Sequence, residues 1–126
     1  GYRVFARSIR AKGGAGGGAP GGGRRGRSSR RKPADIWSIR LDVRARAMVL
    51  AKDTLFVIGA PDVVDPTDSL ASFEGRKGSV LCALRASDGT VLSRAALDSL
   101  PVWDGMAASG GRLYVPMKDG TVRCYR

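Results

Sequence analysis

One segment of this chain occurs twice. Met48-Val-Leu-Ala-Lys-Asp-Thr-Leu-Phe-Val-Ile lies over Met106-Ala-Ala-Ser-Gly-Gly-Arg-Leu-Tyr-Val-Pro at a constant offset of 58, so that Leu55, Phe56 and Val57 fall on Leu113, Tyr114 and Val115. A second match, Gly78-Ser-Val-Leu-Cys over Gly120-Thr-Val-Arg-Cys, has an offset of 42. The difference, 16 residues, is extra length between the two halves of the first copy. A repeat of this period restricts the chain to solenoid, propeller or array architectures, because each copy buries its faces only by stacking on the next.

The pattern inside each copy is β. Residues 47–51 and 54–59 are two apolar runs joined by Lys52-Asp53, and in the second copy the turn is Gly110-Gly111, which suits the positive φ angles of a two-residue hairpin. Residues 78–85 give a third strand with apolar side chains on both faces, Ser87-Asp88-Gly89 a hairpin, and residues 90–96 a fourth strand. The second copy supplies three strands, turning at Asp119-Gly120, and its Arg123 and Tyr125 fall on Leu81 and Ala83. Upstream, Ile39, Leu41 and Val43 alternate with Arg40 and Asp42 as in a half-exposed strand. Four antiparallel strands make one propeller blade. The fold expected is all-β: a partial β-propeller of about two four-stranded antiparallel blades, the second incomplete.

The net charge of +11 does not belong to this β region. Residues 1–34 hold ten Lys/Arg and no acid, whereas residues 35–126 hold twelve Lys/Arg and eleven Asp/Glu. Residues 12–34, almost entirely Gly, Arg, Ser, Ala and Pro, bury too little apolar surface to offset the entropy of ordering, and read as a flexible linker. The Gly16/Gly18/Gly21 spacing inside it lacks the strand and helix that a dinucleotide-binding turn requires. Arg24, Arg25, Arg27, Arg30, Arg31 and Lys32 form a solvated linker on one reading and a phosphate-binding tail on the other; no aromatic interleaves them to stack on bases, which disfavours nucleic acid as a partner. Residues 1–11 place Tyr2, Val4, Phe5 and Ile9 among arginines, a pattern that fits a strand or one helical turn, and read as the end of a preceding element. Residues 35–126 form the blades. The chain starts without Met and stops within a strand-like pattern, so a longer parent is expected. No apolar run reaches the length of a membrane span. Cys82 and Cys124, at matching places in the two copies, read as a small buried strand position rather than a disulfide pair.

The chain has no His, Asn or Gln, which removes the commonest general base and the neutral amide ligands. No nucleophile has a visible base, so no catalytic residue is expected. The extra length in the first copy is the segment most open to function, as a long loop between two strands. In it Asp62, Asp65 and Asp68 are either hard oxygen ligands for Ca²⁺ or ordinary turn and cap residues. Glu74, next to Arg76 and Lys77, reads as a surface ion pair. Trp103 and Asp104 either line a ligand site near a central channel or mark the start of a strand, with the Trp filling space between blades.

A family resemblance rests on Ala83-Leu-Arg-Ala-Ser-Asp-Gly-Thr-Val-Leu, on Pro101-Val-Trp-Asp-Gly-Met-Ala and on Gly111-Arg-Leu-Tyr-Val with its following Asp-Gly turn. Over residues 37–126 the sequence resembles PQQ-like (quinoprotein-type) β-propellers, and Gly59-Ala-Pro-Asp-Val-Val-Asp is similar to a divergent bacterial PQQ-binding-like subgroup. In that family the last two strands of a blade read Ala-x-Asp-x-x-Thr-Gly-Lys-x-x-Trp, and the Trp docks onto the neighbouring blade. Here Ala83 and Gly89 are kept, while Arg85, Asp88, Thr90 and Ser93 stand at the Asp, Thr, Lys and Trp. The resemblance implies a non-catalytic scaffold or a protein- or ligand-binding module whose partners are the remaining blades of its parent and another protein. The alternative is a structural part of a PQQ-dependent dehydrogenase whose active site, with PQQ and calcium, lies elsewhere in the parent. Catalytic relatives hold Ca²⁺ with carboxylate and amide oxygens and often carry an adjacent-Cys disulfide ring, so no cofactor is expected within these residues. The resemblance also implies a periplasmic or cell-envelope location.

Overall fold

Alternating and doubly apolar runs pair into three antiparallel sheets in the computed structural model, which describes residues 1–8 and 34–126. β1 (Tyr2–Arg7) and β2 (Asp35–Leu41) form the first sheet. β3 (Val43–Ala51), β4 (Thr54–Pro61), β5 (Ser79–Arg85) and β6 (Val91–Leu97) form the second, in that order. β7 (Ala107–Ser109), β8 (Arg112–Pro116) and β9 (Val122–Tyr125) form the third, and one helical turn, α1 (Ala71–Glu74), interrupts the connection from β4 to β5. The protein is therefore all-β and antiparallel. No helix among the described residues is long and apolar enough to cross a membrane. The basic run Arg24, Arg25, Arg27, Arg30, Arg31 and Lys32 lies outside the described residues.

Of residues 1–11, whose pattern fits a strand or one helical turn, residues 2–7 form a strand paired with β2. That pair repeats the geometry of β5 and β6. Ala6 faces Trp37 and Ala83 faces Ser93, and in both pairs the register shifts at the next residue, after Ala6 and after Ala83. Trp37 therefore occupies in the first sheet the place that Ser93 occupies in the second.

The sheets stack through two apolar layers. Val4, Trp37, Ile39 and Leu41 of the first sheet pack on Val43, Leu55, Val57, Cys82 and Leu84 of the second. On the opposite face of the second sheet, Ile58 and Leu81, with Phe56 at their margin, pack on Met106, Leu113, Val115 and Met117. Burial on both faces is why β4 and β5 read as nearly continuous apolar runs. Trp37 also reaches beyond its layer: its Nε1–H donates to the Ala86 carbonyl at 2.8 Å, and its ring lies against Gly89 at the β5–β6 turn. Gly89 has φ 77°, and a Cβ there would stand 2.6 Å from Trp37 Cε3, so both conformation and space require glycine.

The hairpins follow their turn residues. Lys52 (φ 51°) turns the β3–β4 hairpin, and Gly110 and Gly111 turn β7–β8 with φ 56° and 72°. The register of β9 corrects the alignment of the two copies. Val57 faces Cys82 in the second sheet, whereas Val115 faces Arg123 in the third, so the structural offset over this strand is 41, not 42. A one-residue slip moves every side chain to the other face. Arg123 and Tyr125 thus correspond to Cys82 and Leu84 rather than to Leu81 and Ala83, and Cys124 is exposed while Cys82 is buried. The expectation that both cysteines occupy one buried position is overturned.

Candidate functional site

The extra residues of the first copy fold back on the body. Ala71 and Ser72 of α1 are buried, Ser72 Oγ donates to the Pro61 carbonyl, and Gly75 closes the turn with φ 94° against the Leu100 side chain. Leu100 is itself buried. The carboxylates of the segment are each paired with a cation, Asp68 and Glu74 sharing Arg76. Asp62 accepts a hydrogen bond from Arg44 Nε at 2.7 Å. Lys77 at 2.8 Å, with Thr67 donating from both backbone and hydroxyl, holds Asp65 well below the usual carboxylate range. Arg76 binds Asp68 through Nε (2.8 Å) and Nη2 (2.7 Å), lowering its pKa, and also pairs with Glu74. The segment is a lattice of surface ion pairs. Asp62, Asp65 and Asp68 do not converge, and no group of three metal-ligating side chains forms among the described residues.

The backbone carbonyl of Phe73, in α1, has a more specific role. It accepts a hydrogen bond from Arg46 Nη2 at 3.0 Å. Arg46 is the extra residue of a β-bulge, where the β3–β4 register shifts between Ala45 and Ala47, and bulges re-aim the side chain they carry. Its side chain turns inward: the residue is only 8% exposed. The guanidinium lies over the Trp103 ring, 4.9 Å from its centroid. Asp104 N–H donates to the Arg46 carbonyl at 3.1 Å, and Asp104 holds a left-handed φ of 52°. Ala45, Arg46, Ala47, Met48, Trp103 and Asp104 line a cleft of about 290 Å³. Trp103 is 62% exposed, so it does not fill space between sheets; it stands at the mouth of this cleft with Asp104.

Of the residues singled out from sequence, Trp103 and Asp104 come together, while Asp62, Asp65, Asp68 and Glu74 stay apart from them as paired surface charges. Arg46 was not among those residues. Two signals mark it: with Arg44 it breaks the otherwise apolar stretch from Val43 to Leu50, and at the offset of 58 its counterpart is Asp104. The same position in two successive copies thus brings opposite charges to one cleft.

A second cleft, of about 610 Å³, opens between the second and third sheets, with Phe56, Leu81, Ser93, Ala95, Leu113 and Tyr125 in its wall. It lies where the first interface is filled. By register Ser93 and Ala95 stand where Trp37 and Ile39 do, and their small side chains leave the space open. No protein-family profile, curated protein or solved structure matches the chain.

Proposed function

We propose that this chain is a repeat segment of a PQQ-like β-propeller acting as a non-catalytic scaffold and ligand- or protein-binding module. The observation that carries this reading is Trp37. The motif of that family ends on a Trp that docks onto the next blade, and Trp37 crosses from the first sheet to the Ala86 carbonyl and Gly89 of the second. Ala6, opposite Trp37, and Ala83 and Gly89, in the segment it docks on, stand at motif places. The same bulged strand pair in the first and second sheets, and the same β-hairpin in the second and third, agree with successive blades.

The residues present do not fit a PQQ–Ca²⁺ centre. Asp62, Asp65 and Asp68 are divided among separate cations, no amide side chain exists in the chain, and Cys82 and Cys124 stand in different sheets. Binding is the reading these residues support. A crystal structure of the protein as it occurs in cells tests the architecture: sheets radiating about one axis are expected, and an open linear stack would overturn the propeller. Incubation with PQQ and Ca²⁺ tests the chemistry, with no dye-linked alcohol oxidation expected; turnover would replace the scaffold by a dehydrogenase.

A further inference from the structure

We propose that Arg46 is the anchor of a binding site for a small monocarboxylate, held in the cleft between the β3 bulge and residues 103–104. The inference goes beyond the propeller reading and does not depend on it. Three irregularities meet here: the bulge that turns Arg46 inward, the left-handed backbone at Asp104, and the insertion that supplies the Phe73 carbonyl. Strained backbone and bulges persist where the surrounding structure holds them for a purpose.

The Arg46 side chain is largely buried, and its guanidinium has no counter-ion among the described residues. No carboxylate lies within salt-bridge distance of it among the described residues, and Phe73 supplies a single neutral acceptor. A guanidinium carries five N–H donors in a planar fork. Among the described residues Nε and Nη1 have no protein partner, and neither is a buried nitrogen left unsatisfied, so both keep access to solvent. Trp103 holds the guanidinium by its face, which does not occupy the in-plane N–H groups, one of which is spent on Phe73. Nη2 keeps a second N–H beside the one on Phe73, and that N–H with its neighbour on Nε or Nη1 makes the fork that grips a carboxylate in bidentate fashion.

Size and charge narrow the ligand. A cleft of about 290 Å³ suits a small molecule, with Met48 and Ala47 as apolar wall and the exposed part of Trp103 at the mouth. Asp104 at the rim repels a second negative charge. The ligand class is therefore a monocarboxylate with a small apolar body, in preference to a dicarboxylate or a phosphate.

Calorimetric titration of the full chain with acetate, benzoate and indole-3-acetate tests this, with benzamide as neutral isostere and isophthalate as dianion. At least one monocarboxylate should bind saturably, and benzamide and isophthalate at least tenfold more weakly than benzoate. Arg46→Met should weaken binding by at least tenfold, and Arg46→Lys by less. Asp104→Asn should narrow the gap between benzoate and isophthalate, a result that needs no change at Arg46 should its variants fail to fold. No saturable binding of any of the three acids, equal binding of benzoate and benzamide, or undiminished binding by a folded Arg46→Met protein would overturn the proposal.

Discussion

Trp37 joins two sheets by one side chain, its indole nitrogen on Ala86 and its ring on Gly89. Removing it takes away both the half-buried ring and the bond, so Trp37→Ala should cost about 2–3 kcal/mol, less than a fully buried Trp would. Trp37→Phe keeps an aromatic ring and loses the hydrogen bond, whose net worth is about 1 kcal/mol plus the cost of an unpaired carbonyl. Urea denaturation should rank wild type above Phe above Ala; equal midpoints for all three would mean that the docking contributes nothing. The cysteines differ just as sharply. Cys82 is buried and desolvation raises its thiol pKa, whereas Cys124 is exposed. A disulfide-exchange reagent at neutral pH should therefore modify one thiol per native chain, at Cys124, and the second only on unfolding; peptide mapping that finds Cys82 modified first would contradict the β9 register. Sequence alone could not show this. The aligned Gly and Cys of the two copies set an offset of 42, and nothing in composition reports a slip of one residue. Arg46 was hidden for a related reason: a charged residue in a strand reads as facing solvent until a bulge turns it inward.

The strands themselves were legible, because their turns carry Gly or Asp and their runs are apolar on both faces. The pairing of β1 with β2 was not, since the two strands are separated by residues whose composition resembles a linker. Pairing exposes a defect at β6, where Ser93 and Ala95 leave the second interface open and Trp37 and Ile39 close the first. Ser93→Trp should fill that cleft and, by burying apolar area at about 25 cal/mol per Å², add roughly 1–2 kcal/mol. A rise of several degrees in Tm is expected; a fall would show that the cleft walls cannot accept an indole. The insertion makes a different prediction. The folded-state pKa values of Asp65 and Asp68 are depressed, by Lys77 with Thr67 and by Arg76. Their contribution is complete above the ordinary value of 3.8 and is lost as pH falls through the lower folded values. Carboxyl NMR titration should place both midpoints below 3.8, moving toward it in high salt because the pairs are exposed. A midpoint at or above that value would break the pairing described.

At the scale of the molecule, three stacked sheets bury four faces and leave two. Phe5 and Ile36 are exposed on the outer side of the first sheet, and Val122 and Cys124 on the outer side of the third. Phe5 is partly shielded by Arg3 and Arg7, whose guanidinium carbons lie 5.3 Å and 5.0 Å from its centroid, whereas Val122 is 66% exposed. Strand edges are open as well: among the described residues β1, β2, β3, β6, β7 and β9 each have a single neighbour. β5 is flanked on both sides, by β4 and β6, but its counterpart β9 has a neighbour only in β8, and β1 only in β2. Unpaired strand edges beside apolar side chains are templates for a further strand, and repeat units that lack neighbours are marginal alone. The chain by itself is therefore expected to self-associate, with mass rising with concentration in sedimentation and with binding of a hydrophobic dye. Deleting residues 1–34 should deepen both effects, because β2 then loses its only partner strand and the layer of Leu55, Val57, Cys82 and Leu84 loses its cover. A concentration-independent monomer with a sharp cooperative melt and no dye binding, in both forms, would mean that the second and third sheets stand without the first, and that stacking on further sheets is not what this sequence is built for.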